Sequence, residues 1–231
     1  MGETVILALW GAAATAALAY WVGFAARESP GLSGAAVKTA STGFLALALW
    51  LLVPQAPPLW PLALGLTLGA LGDLCLAQRG EAAFLTGMAA FGAGHLAYAG
   101  HFLAVPMALG FPDLTLLRLV LALALIALMA STELWLAPRT GKLRGPVRAY
   151  VILIGLMGIS LLVLPAGAVT GWLWLGGGLF ILSDLLLALR LFVAVDPQRQ
   201  RLLSLMLWPA YWGGQALIAG FGPALAAAGQ G

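Results

Sequence analysis

The sequence predicts an all-α membrane protein, a bundle of about eight transmembrane helices forming a single polytopic domain over residues 1–231. Three observations predict it. Hydrophobic residues make up 62% of the chain and charged ones 8%, where a soluble domain carries about 25% charge on the surface it shows to water. Apolar stretches near the ~20 residues needed to cross a hydrocarbon core recur along the whole length. The basic residues gather in alternate links between those stretches.

The first stretch, 4–25, follows Met1-Gly2-Glu3, which lacks a basic leader, and it exceeds a signal h-region in length, so it reads as a retained helix. The second, 37–53, starts at Lys38 and stops at Pro54. Pro57 and Pro58 set off the third, 59–77, and Pro106 and Pro112 follow the fourth, 82–104. The fifth, 114–136, and the sixth, 147–165, are separated by a link holding Pro138 and Pro146. The seventh, 170–193, ends before Asp196-Pro197, and the eighth covers 202–222.

Ten of the 11 basic residues flank the first, third, fifth and seventh links, and only Arg118 lies near the others. Basic loops are retained in the cytoplasm, so the odd links are expected there and both termini outside. The net charge of +3 therefore reports topology, and no nucleic-acid partner is expected. The single cysteine, Cys75, permits no internal disulfide, and no cluster of metal ligands is present, so neither metal nor cofactor is expected. Gly72-Asp73-Leu74-Cys75-Leu76-Ala77 and Ser183-Asp184-Leu185-Leu186-Leu187-Ala188 share a small-Asp-Leu-x-Leu-Ala pattern, consistent with a parallel 4+4 duplication.

Asp73 and Asp184 are the costly residues. An ionised carboxylate at a helix centre costs about 2.5–3.5 kcal/mol, so such groups face the bundle interior, a partner or water. At ~1.5 Å per residue they lie roughly 6 and 14 Å from the cytoplasmic ends of their helices. Gly65 and Gly69 stack on the Asp73 face, and Gly177, Phe180 and Ser183 flank Asp184, small residues that let helices approach. The competing reading is a structural pair capping neighbouring groups.

Other candidates fall on two helical stripes. Gly87, Phe91, His95, Tyr98 and Phe102 share one face of the fourth helix, and Trp208, Tyr211, Trp212 and Gln215 share one of the eighth. His95, Tyr98, Ser183, Tyr211 and Gln215 are candidate substrate-binding groups, against a packing role for each. Lys38, with Ser41 and Thr42 one turn deeper, could hold a phosphate, against simple snorkelling to the interface. Glu133 and Arg79 could complete a polar cluster. His101, near the outer end of its helix, reads as interfacial. Gly176-Gly177-Gly178 reads as packing or as a local helix break.

No phosphate-cradling glycine loop, His-Glu-x-x-His pair or nucleophile elbow is present, which excludes nucleotide-driven chemistry and zinc proteolysis. Four segments together resemble the YhhN-like family of integral membrane lysoplasmalogenases: Leu71 to Leu76 with Gly72-Asp73; Phe84 to Phe102 with Gly87, Phe91, His95 and Tyr98; Gly177 to Phe192 with Phe180, Ser183 and Asp184; and Tyr211 to Gln215. The motif-bearing part covers 65–220, and where the family often has Lys-Pro this chain has Lys38-Thr39.

The resemblance implies an enzyme that opens the vinyl ether of a lysoplasmalogen, releasing a fatty aldehyde and a glycerophospho-head-group alcohol, with Asp73 and Asp184 as the catalytic pair. Vinyl ethers withstand base and open when acid protonates the β-carbon, giving an oxocarbenium ion that water captures. That chemistry suits two carboxyls, one acid and one base, as in glycoside hydrolysis. The deeper Asp184 is expected to be the donor and Asp73 the base. The partners implied are a lysophospholipid and the bilayer. A small proton-coupled transporter is the alternative, with a non-catalytic scaffold third. Arg outnumbers Lys nine to two, which points to a GC-rich bacterial genome and an inner membrane.

Overall fold

The computed structural model describes residues 2–27 and 31–228. Eight helices run through them: α1 (Gly2–Gly23), α2 (Gly31–Trp50), α3 (Trp60–Leu76), α4 (Glu81–Leu109), α5 (Leu116–Trp135), α6 (Arg144–Leu162), α7 (Thr170–Phe192) and α8 (Pro197–Ala228), with no strand among the described residues. All eight expected stretches are helical. Six helices are long and apolar enough to cross a membrane by length and composition. The other two, α4 and α8, are the longest and are not among those six; they carry the buried His95, Tyr98, His101, Tyr211 and Gln215.

Helix ends depart from the sequence expectation for identifiable reasons. α2 starts at Gly31, six residues before the expected 37, since Gly34 and Ala35 are small enough to bury and continue the helix. Lys38 therefore sits two turns inside its helix, not at its start. α8 starts at Pro197 because Asp196 accepts from the backbone N–H groups of Gln198 and Arg199, at 3.3 and 3.2 Å. An acidic N-cap followed by proline is a helix start, not only a break. Pro209 inside α8 cannot donate to the Leu205 carbonyl, and the Trp21 indole N–H takes that place at 3.0 Å.

Successive helices α1 to α4 pack side by side, α4 continues onto α6, α6 onto α7, and α8 pairs with α7 while closing onto α1, α2 and α3. α5 stands outside, packed chiefly on α6, so the two sets of four helices are not packed alike. At the link between α6 and α7, the buried Arg118 guanidinium donates to the Leu162 carbonyl at the end of α6 and lies 5.2 Å from the Trp174 ring. A cation there complements the negative helix terminus.

The glycines place the site-bearing helices. α7 runs unbroken through Gly176-Gly177-Gly178, so the helix-break reading is not met. A Cβ on Gly214 of α8 would lie 2.7 Å from the Gly176 carbonyl oxygen and 2.9 Å from the Phe180 nitrogen. Both obstacles are backbone, so Gly214→Ala must push α7 and α8 apart. It is expected to cost about 2 kcal/mol, read as a lower melting temperature in detergent.

Candidate active site

Between α2, α3, α7 and α8, at the end carrying the first, third and seventh links, lies a cavity of about 840 Å³. Both aspartates line it. Their surroundings differ.

Asp73, fully buried on α3, meets the Lys38 ammonium of α2 at 2.9 Å through Oδ1. Its Oδ2 accepts from the Tyr211 hydroxyl at 2.9 Å and the Thr42 hydroxyl at 3.1 Å. Every partner is a donor, the surroundings of an acceptor-only carboxylate. Lys38 also lies 5.7 and 5.9 Å from the Trp208 and Tyr211 ring centres, so aromatic faces close off the rest of its charge. Its side chain is 15% exposed, on the cavity wall.

Asp184, on α7, accepts from the Tyr150 hydroxyl of α6 at 2.8 Å through Oδ1 and faces His95 Nε2 at 3.2 Å through Oδ2. The imidazole is fully buried, and its Nδ1 lies 2.7 Å from the Phe91 carbonyl oxygen, one turn back on α4. A carbonyl only accepts, so Nδ1 carries a hydrogen. Nε2 is then either a lone pair facing a carboxylic acid or an N–H facing a carboxylate. The two groups approach closely without the alignment of a hydrogen bond.

Aromatic rings join the two ends. Phe180 stacks on His95 with centroids 4.5 Å apart and meets the Tyr211 ring at 5.7 Å. Phe91 also meets Tyr211 edge-on at 5.7 Å. Gly65 and Gly72 admit this aromatic layer: a Cβ on Gly65 would fall 2.3 Å from the Tyr98 ring, and one on Gly72 2.6 Å from that of Phe91.

Of the candidate binding residues, Lys38, Ser183 and Tyr211 line the cavity with the aspartates. Ser183 donates to the Phe180 carbonyl of its own helix at 2.7 Å, leaving its lone pairs to the site. His95, Tyr98 and Gln215 stand behind the wall, His95 against Asp184. Tyr98 donates to Gln215 Oε1 at 2.5 Å, a buried pair that braces α4 against α8. Glu133 is not in the cluster: it forms an exposed pair with Arg148 at 2.5–2.8 Å. His101 is buried, not interfacial, with its ring nitrogens 3.2 and 3.3 Å from the Pro58 and Gly222 carbonyl oxygens. Arg79 does reach the cavity, joined there by Arg27 and Arg190.

Tyr150 is the functional candidate that sequence reasoning missed. The signal was its hydroxyl in an otherwise aliphatic segment, which must find a partner away from water. Among the described residues no group of three or more His, Cys, Asp or Glu side chains is placed to hold a metal.

A family model described as the YhhN family matches residues 33–221. The chain belongs to the YhhN family. Lysoplasmalogenase TMEM86B of Rattus norvegicus is 34% identical over 178 residues, 77% of this chain and 70% of the relative. No solved structure matches. The family match spans Lys38, Asp73, His95, Asp184, Tyr211 and Gln215, so this YhhN-family chain carries all its candidate site residues within the shared region. It is a multi-pass membrane protein.

Proposed function

We propose that this YhhN-family protein is a lysoplasmalogenase-like hydrolase that cleaves the vinyl ether of a lysoplasmalogen by acid and base catalysis. The observation that carries the reading is the asymmetry of the two carboxyls at one cavity. Asp73 is surrounded by donors only, ammonium included, whereas Asp184 accepts from the Tyr150 phenol and faces the His95 imidazole. The named activity of the rat relative supports the bond type.

In this mechanism the vinyl π pair takes the proton of Asp184, forming a C–H bond at the β-carbon and an oxocarbenium ion at the α-carbon. The Asp73 carboxylate stabilises that charge. Water attacks the α-carbon, and its proton passes to Asp73 through the Tyr211 hydroxyl, which donates to Asp73 and lines the same cavity. The hemiacetal then loses its glycerol oxygen, which takes the proton back from Asp73, while the hemiacetal hydroxyl returns one to Asp184. The products are an aldehyde and an alcohol, and both carboxyls are restored. Lys38 is engaged by Asp73, so its role is to hold the base, and the phosphate falls to Arg79 and Arg190 at the rim.

The odd links carry the basic residues and the cavity opens beside three of them, so the site faces the cytoplasm with both termini outside, in a bacterial inner membrane. The transporter alternative drew on paired membrane carboxylates, a possible repeat and a glycine-broken helix, and of these the broken helix is absent, α7 being continuous. Purified protein given a vinyl-ether lysolipid and its saturated alkyl analogue is expected to release aldehyde from the first alone. In deuterated water the aldehyde, trapped as it forms, carries one deuterium beside its carbonyl. Transport of either lipid without bond cleavage would overturn the hydrolase reading.

A further inference from the structure

A second opening reaches Asp184 from the lipid side. It is an apolar cleft of about 90 Å³ between α4, α5, α6 and α7, walled by one face of α5 that runs Leu125, Leu128, Met129, Thr132, Trp135 and Leu136. Leu125 to Trp135 of this set are half-buried and Leu136, just past the helix, is buried, whereas Leu123, Ile126 and Leu134 on the other side of α5 are exposed. The cleft and the polar cavity share Leu76, Phe84, Phe91, Asp184, Leu187 and Leu191, so they meet at the carboxyl. On one side of Asp184 stand Lys38 and the three arginines, and on the other stand aliphatic walls.

We infer that this cleft is the chain-binding groove of the enzyme, taking the alkenyl chain of a single-chain phospholipid whose phosphate lies among the arginines. The inference deepens the proposed function and rests on it for the substrate class. Charge complementarity sets the orientation: the phosphate belongs in the basic cavity, and the bond where head and chain join then falls beside Asp184. At about 90 Å³ the cleft leaves no room for a second chain. Lipid tails are as apolar as the groove, so transfer from the bilayer yields little hydrophobic gain, and the groove selects by shape. α5 is the movable wall, because it packs on α6 and on little else. The deep end lies at Leu125, Ile154 and Ile181, about one turn from Tyr150 and Asp184 along their helices.

The test compares vinyl-ether lysolipids that differ only in chain length. Ile154→Trp and Leu125→Trp, which block the deep end from different helices, are each expected to lower the long-to-short-chain ratio of kcat/KM at least ~10-fold. Leu123→Trp, on the lipid face of α5, is expected to leave the ratio as in the parent. Unaltered ratios in both blocking variants overturn the groove, while short-chain turnover shows that they fold. If the parent protein cleaves no vinyl ether, the function fails and the groove is judged by binding. A saturated ether lysolipid brominated along its chain is expected to quench Trp135 saturably, to be displaced by the unbrominated lipid, and to lose that component in Trp135→Phe. Quenching without saturation, or equal displacement by a two-chain phospholipid, overturns the groove.

Discussion

Asp184→Asn is expected to lower aldehyde release about a thousandfold while leaving the fold intact. The amide keeps the carboxyl's shape and still accepts from Tyr150, and its NH₂ can donate to Nε2 of His95, whose Nδ1 holds its hydrogen against the Phe91 carbonyl. What disappears is the acidic proton, since an amide cannot deliver one to carbon. The check pairs an aldehyde assay with a melting curve in detergent, where the shift should stay within about 1 kcal/mol of the parent. Activity within tenfold of the parent would remove Asp184 as the acid. Loss of activity with loss of the folded protein would instead make it structural.

The second large effect concerns the pair at the other end of the cavity. Lys38→Met leaves Asp73 buried with two hydroxyl donors and no cation, and is expected to destabilise the protein by about 3 kcal/mol. Lys38→Met combined with Asp73→Asn should recover most of that stability, because no charge is then left uncompensated, and yet neither variant should hydrolyse the lipid. The coupling between the two substitutions, read from thermal unfolding of all four proteins, measures the interaction. Additive effects would show that the 2.9 Å contact is not energetically coupled, and the holding role of Lys38 would fall with it. Stability and activity part company here: a buried ion pair can be replaced by neutral groups at little energetic cost, but the base cannot.

Much of the site was legible because lipid is an unforgiving solvent. A polar side chain in a 62% hydrophobic chain stands out, and its helical spacing tells which neighbours share its face. Asp73, His95, Tyr98, Asp184, Tyr211 and Gln215 all turn inward, as their small-residue and aromatic stripes implied. Partner identity was not legible. Nothing in the spacing of Lys38 says that it meets Asp73, 35 positions away on another helix, and nothing around Tyr150 says that it meets Asp184. Glu133 shows the converse error: it was a polar residue near the right end of a helix, but its own helix stands outside the bundle and turns it to Arg148 on the surface.

The sequence by itself determined the solvent, the eight helices and which side chains had to be kept from lipid, because hydropathy and helical periodicity are local and each residue contributes independently. Tertiary structure decided the different surroundings of the two aspartates. The glycine contacts of α3 with α4 and of α7 with α8 set how closely those helices approach. That approach puts an ammonium and two hydroxyls around one carboxyl, and a phenol and an imidazole around the other. The chemistry of a carboxyl follows from the donors within about 3 Å of it, and those are drawn from helices remote in the chain.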